Sequence, residues 1–225
     1  TMASLKNSLA RMFKPRPETE IPIPIQLGRL HPLAAERILG DWRKAGLFPL
    51  QGGSGTARGK ITTELVPGAA AAGVLAHGDF TAAATGTLTW RDGDKIMAFG
   101  HPFTNQGEVE LPLANSEIIS VVSSYARSFK MANLGEIVGT ISKDRIAAVA
   151  GTGGPKPAMI PMTLKIRYPK GGKDYHLEFI NDRGFASMIY LSALASFLAE
   201  TMEFSPEATV RFRGTIEVKG FPEVK

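Results

Sequence analysis

From Lys60 onward the chain falls into short runs in which side chains of opposite character alternate with a period of two, and these runs are separated by Gly- and Asp-containing turns. A period of two is the spacing of a β-strand with one buried face, so this grammar constrains the fold more than any other feature. Thr85, Thr87 and Thr89 alternate with Gly86, Leu88 and Trp90. Asp92-Gly93 is a two-residue hairpin signal, and Ile96 to Phe99 is the return strand. Ile137 to Ser142 and Arg145 to Ala150 form a second pair around Lys143-Asp144. Met162, Leu164, Ile166 and Tyr168 form a third with Tyr175, Leu177 and Phe179, turning at Gly171-Gly172. The cleanest alternation comes last. Val210, Phe212, Gly214, Ile216 and Val218 face one way, and Thr209, Arg211, Arg213, Thr215, Glu217 and Lys219 face the other.

Three segments read as helices instead. Pro32 to Lys44 carries Leu33, Ile38, Leu39 and Trp42 on one side and ends at Gly46. Phe185 to Thr201 is uncharged through Ala199 and spaces Met188, Leu191, Ala195, Leu198 and Met202 by three or four. Ala3 to Phe13 is a short candidate that Lys14-Pro15-Arg16-Pro17 terminates. Ile21 to Ile25 alternates with Pro22 and Pro24, which cannot donate to a ladder, so this stretch is expected to be extended and at a sheet edge. Gln51 to Thr56 reads as a flexible loop. The expected fold class is α+β: a mostly antiparallel β domain, barrel- or sandwich-like with several hairpins, carrying two or three packed helices. The expected organisation is an N-terminal helix and linker arm over residues 1–20, a small α/β lead-in over 21–59, and the β domain over 60–225.

Composition then removes function classes. The 225 residues contain no Cys, which excludes disulfide scaffolds, Cys-ligated zinc and thiol nucleophiles. The net charge of +5 sits at one end: residues 1–60 hold ten Lys/Arg against four Asp/Glu, and the remainder holds sixteen against seventeen. No basic run with interleaved aromatics exists, so nucleic acid is not an expected partner. Phe185 to Ala199, at 15 residues with three serines, is too short to span a bilayer. Thr1 to Pro17 has no apolar core of a secretory signal, so any export address is expected outside this chain. There is no G-x-x-x-x-G-K-[ST] loop and no G-x-G-x-x-G between strand and helix, so no nucleotide cofactor is implied.

Four histidines remain to be weighed. His31 precedes a helix start, and His176 lies on the polar side of a strand. His77 and Asp79 flank Gly78 but lack a third ligand nearby, so no metal is expected there. His101 follows Ile96 to Phe99 through Gly100 and precedes Pro102, a corner from which an imidazole can project beyond the sheet rim. On placement alone such a His more often serves as a turn hydrogen-bonder than as a general base. The chain supplies no G-x-S-x-G elbow; Ser54 sits in a plain glycine-rich loop, and Thr1 is a candidate only if it is a true N-terminus.

The run from Gly86 to Phe103, GTLTWRDGDKIMAFGHPF, resembles the core of the SpoIVB-type serine peptidase family. The family pattern is "GTLT", a hairpin, then "a-(L/F)-G-H", whose His belongs to the catalytic set and maps onto His101. Similarity continues in Ser128-Phe-Lys130, in Gly135 to Ile141 followed by Asp144-Arg145, and in the Ile160 to Ile180 hairpin, over about residues 45–200. It is closest to long bacterial members in which "FGHPF" lies towards the C-terminus. The family's "GMSGSP" nucleophile motif and its Asp do not occur in this chain. The resemblance therefore implies the His-bearing C-terminal part of an apparently permuted peptidase, in the cell envelope or periplasm. Its Ser would sit on an upstream or separate fragment. The alternative it leaves open is a non-catalytic scaffold or interaction subunit of an envelope-associated assembly.

Overall fold

The computed structural model describes residues 23–52, 61, 63–123, 128–168, 171–201, 209–218 and 220. Its elements run β1 (Ile23–Gly28), α1 (Pro32–Lys44), β2 (Leu47–Gly52), β3 (Ala70–Gly78), β4 (Thr81–Asp92) and β5 (Lys95–Ala98). They continue as β6 (Gly107–Val122), β7 (Phe129–Arg145), β8 (Ala148–Gly153), β9 (Met159–Tyr168), β10 (Gly171–Ile180) and α2 (Ala186–Thr201). The fold is α+β and mostly antiparallel, and β1–β2 is the parallel pair. The expected helix at 3–13 and the loop at 53–56 lie outside the described residues.

Strand pairing defines two bodies that share one hairpin. Following the ladders β3–β4–β5–β8–β7–β6 and back to β3 closes a six-stranded antiparallel barrel. The far ends of the same two strands open outward: Thr81–Ala83 of β4 pair with β1, and Ala76–Gly78 of β3 pair with β10. A second sheet, β2-β1-β4-β3-β10-β9, is thereby built on the barrel. The helices pack on this second sheet, where Trp42 of α1 is fully buried and its indole N–H donates to Ser192 of α2 at 3.1 Å. Burying an aromatic of this size contributes about 3 kcal/mol, and the hydrogen bond keeps its polar edge satisfied.

Local chemistry explains the helix ends. His31 caps α1, its Nδ1 accepting from the Leu33 N–H at 3.3 Å, Pro32 occupies the first turn, and Gly46 leaves at φ +79°. Asp182 holds the start of α2 by accepting from the Gly184 and Phe185 N–H groups. The apolar side expected for α2 is rotated. Met188, Ile189, Ser192, Ala193, Ser196 and Phe197 are buried, whereas Leu191 is 58% exposed. An almost uniformly apolar helix has no strong stripe, so its neighbours choose the face.

Four other expectations are corrected. The segment containing Pro24 is not an edge strand: β1 lies between β2 and β4, and Pro24 is tolerated because the β1–β4 ladder stops at Gln26. Gln51 and Gly52 close β2 rather than opening a loop. The turn at Lys143-Asp144 is absent, since β7 runs on to Arg145 and the chain reverses at Ile146-Ala147. Residues 209–218 form no ladder beyond an isolated bridge at Ile216, and Val210, Phe212, Ile216 and Val218 are exposed. Alternation fits a segment for a sheet but does not supply the sheet.

One charged cluster ties the second sheet to α2. Glu200, near the end of α2, accepts from Arg29 Nε at 2.9 Å and from Lys173 on β10. Both cations stand 5.2 Å from the ring centroid of Tyr175, which stacks on Phe197 at 4.0 Å. The Arg29 hydrogen bond, with Lys173 behind it, holds the Glu200 carboxyl down to about 2, from an ordinary 4.5. A depressed carboxyl stabilises the fold above its unfolded value and loses that contribution as pH falls through its folded one. Thermal unfolding should therefore show a Glu200→Gln variant less stable than the parent at pH 7, with the gap closing between pH 4.5 and 2. A gap that stays constant over that interval would refute this role.

Candidate functional site

The site is built where β4 passes from one body to the other. β5 ends at Ala98, and the next two residues are left-handed: Phe99 at φ +78° and Gly100 at φ +70°. For Phe99 that conformation is strained by about 1–3 kcal/mol. The strain is tolerated because its ring is clamped over Gly86, where even a methyl carbon would lie 2.2 Å from Phe99 Cδ1. The glycine of "GTLT" is thus required by close approach. The turn swings His101 to the rim of the barrel, half-buried, with its ring 5.7 Å from that of Phe99.

The segment after His101 is anchored from below. Asp144, fully buried on β7, accepts from the Phe103 N–H at 2.7 Å, the Thr104 N–H at 2.6 Å and the Thr104 hydroxyl at 3.0 Å. Two backbone donors leaving a strand end are satisfied by one carboxylate, and charge-assisted bonds of this kind are the strong ones. Phe103, 1% exposed, fills the barrel mouth beside it. Sequence reading places Asp144 in a turn. The structure makes it the fixed point of the loop that carries His101.

The ring of His101 is oriented by its own neighbour: Nδ1 lies 2.8 Å from the Pro102 carbonyl oxygen. A carbonyl can only accept, so the neutral imidazole carries its proton on Nδ1 and presents the Nε2 lone pair. This is the tautomer a general base needs, set here by a backbone carbonyl instead of a carboxylate.

His101 and Phe99 line one end of a groove of about 170 Å3, walled by Thr85 and Thr87 of β4, Gln26 of β1, and Ser128 and Lys130 at the start of β7. Lys130 donates to Thr87 Oγ1 and has no carboxylate partner among the described residues. Gln26 spans the groove floor, its carboxamide exchanging two 3.1 Å hydrogen bonds with the backbone of Ala132. Ser128 lines the groove. In the sequence Ser128 and Lys130 stand out only through the resemblance of Ser128-Phe-Lys130 to the family. Nothing local marks them, since three distant strands bring them to His101.

The other candidates are placed elsewhere or lie outside the description. Thr1 and Ser54 fall outside the described residues. His31 is a helix cap. Asp79 is engaged by Arg29 at 3.1 Å and by the His176 N–H at 2.7 Å, and no group of three metal-ligating side chains occurs among the described residues. No helix among the described residues is long and apolar enough to cross a membrane. No protein-family model, curated protein or solved structure matches the chain.

Removing the Asp144 carboxylate strands two backbone donors and a hydroxyl in the interior. Asp144→Ala should cost about 3 kcal/mol in urea unfolding, with the amide protons of Phe103 and Thr104 losing protection first in hydrogen exchange. An unchanged exchange rate at those two amides would show that the loop is held by something else.

Proposed function

We propose that this chain is the His-bearing portion of a SpoIVB-like serine endopeptidase of the cell envelope or periplasm, with the nucleophilic Ser and its Asp outside the chain. The observation that carries the reading is the 2.8 Å contact of His101 Nδ1 with the Pro102 carbonyl oxygen, which leaves Nε2 as the acceptor of the neutral ring, on a strained, anchored turn beside a groove. A structural histidine in a turn needs no such support, whereas a base that must meet an incoming hydroxyl does. The sequence around it, "GTLT" to "FGHPF", resembles the segment that bears the catalytic His in that family.

In this reading a serine from an upstream or separate piece comes within hydrogen-bond reach of Nε2. His101 takes its proton as the hydroxyl oxygen attacks a peptide carbonyl, and returns that proton to the leaving amine. The Pro102 carbonyl steadies the imidazolium formed between those steps. An alternative is a scaffold subunit using the same fold, favoured by the exposed apolar face of the β6–β7 ribbon, where Ile119 and Val121 are 62% and 56% exposed.

In the complete protein, His101→Ala should lower peptide or self-cleavage by at least about a hundredfold, leaving the unfolding midpoint within a degree or two. This chain by itself should not hydrolyse peptides. Unchanged cleavage by the His101→Ala protein would sink the peptidase reading. Co-purification with unrelated partners only, and no Ser-bearing fragment, would favour the scaffold.

A further inference from the structure

We infer that the groove beside His101 binds an extended polypeptide by main-chain hydrogen bonds to the open edge of β4 at Thr85 and Thr87, and that Lys130 selects an acidic side chain in that polypeptide. The inference rests on the peptidase reading only for what happens after binding.

The open edge follows from the ladder. The Leu88 N–H donates to the Ala69 carbonyl, on the β3 side, and the Phe99 N–H donates to the Thr87 carbonyl, on the opposite side. Backbone groups alternate along a strand, so Thr85 and Thr87 direct theirs away from β3. On that side β4 has ladder partners, among the described residues, only at Thr81–Ala83, from β1, and from Leu88 onward, from β5. Between them the Thr85 N–H and C=O, and the Thr87 N–H, face the groove.

The gap is enforced by sequence. Continuing the β1–β4 register past Gln26↔Ala83 sets Pro24 opposite Thr85. Proline has no N–H to give, so β1 cannot extend its ladder there. Beyond β5 the left-handed turn at Phe99 ends pairing from the other direction. An unpaired stretch two residues from a strand's own partners, recessed in a groove, is the geometry for β-augmentation by one extended segment.

Charge supplies the second half. Lys130 reaches across the groove to Thr87 Oγ1, and no carboxylate among the described residues neutralises it. A cation beside the main-chain track, with no carboxylate partner among the described residues, attracts a Glu or Asp of the bound segment and repels a Lys.

The test is fluorescence anisotropy of labelled eight-residue peptides on this chain. The peptides carry Glu, Gln or Lys at the central position. The Glu peptide should bind about five- to tenfold tighter than the Gln peptide at low salt, and Lys130→Met should abolish that preference without abolishing binding. Methylating the peptide backbone nitrogens one at a time should weaken binding about three- to tenfold at every second position and leave the intervening ones unaffected. Failure of all three peptides to bind, equal binding of Glu and Lys peptides, or a methylation profile without the two-residue period would each overturn the inference. The outcomes separate cleanly from those for His101. Peptide binding with the predicted pattern, but cleavage indifferent to His101→Ala, removes the peptidase and keeps the groove. The reverse removes the groove assignment and keeps the peptidase.

Discussion

The β3–β4 hairpin is the constraint from which the rest of the structure follows, because one pair of strands belongs to two sheets at once. Near their adjoining ends the strands pair outward with β1 and β10, and further along they pair with β5 and β6 to close the barrel. A strand cannot change neighbours without a break in its ladder. On β3 the break falls between Gly73, which pairs with β6, and Ala76, which pairs with β10. On β4 it is a gap of several residues, and the groove is that gap. The position of the candidate site is therefore a consequence of topology, before any side chain is considered.

What the side chains add is rigidity on one wall and openness on the other. Phe99 in a left-handed conformation, Gly86 beneath its ring, and Asp144 under the Phe103 and Thr104 amides leave the His101 loop little freedom. Opposite, β7 from Phe129 to Val138 has no strand among the described residues on its outer side, because its ladder with β8 begins at Gly139. Gln26 stands in for a strand at one residue, Ala132, and Lys130 is left reaching across. The His101 imidazole, on its fixed loop, thus lies beside an edge that no described strand fills.

Elements with strong local signals were legible from the residues alone. Pro32 and Gly46 bracket α1, the Asp92-Gly93 signal lies one residue before the Gly93-Asp94 turn that joins β4 to β5, and alternation marks β9 and β10. The strands that define the topology were not. β3 reads Ala-Ala-Ala-Gly-Val-Leu-Ala-His-Gly and is buried along its first seven residues. With both faces covered, small residues replace alternation, and their low strand propensity hides the element. β6 begins in polar alternation and ends in a run that includes Ile118 and Ile119, with several register shifts against β7, so no single period describes it. The C-terminal segment failed in the other direction, having the pattern without the partner.

His101 and Asp144 show the same division at the site. His101 was visible because Gly100 and Pro102 constrain its backbone locally, and its position at the rim follows from those neighbours. Asp144 was invisible because a carboxylate after a lysine in a polar stretch matches a turn as well as a buried anchor. The partners that decide the matter, Phe103 and Thr104, are 40 residues away. Once the loop's amides leave β5, each needs an acceptor that water cannot provide in the barrel mouth, and a side chain of the facing strand is the nearest source. The imidazole is thus placed by local geometry, but its loop is held by a long-range demand for hydrogen bonds. A substitution at either level should disturb the same imidazole.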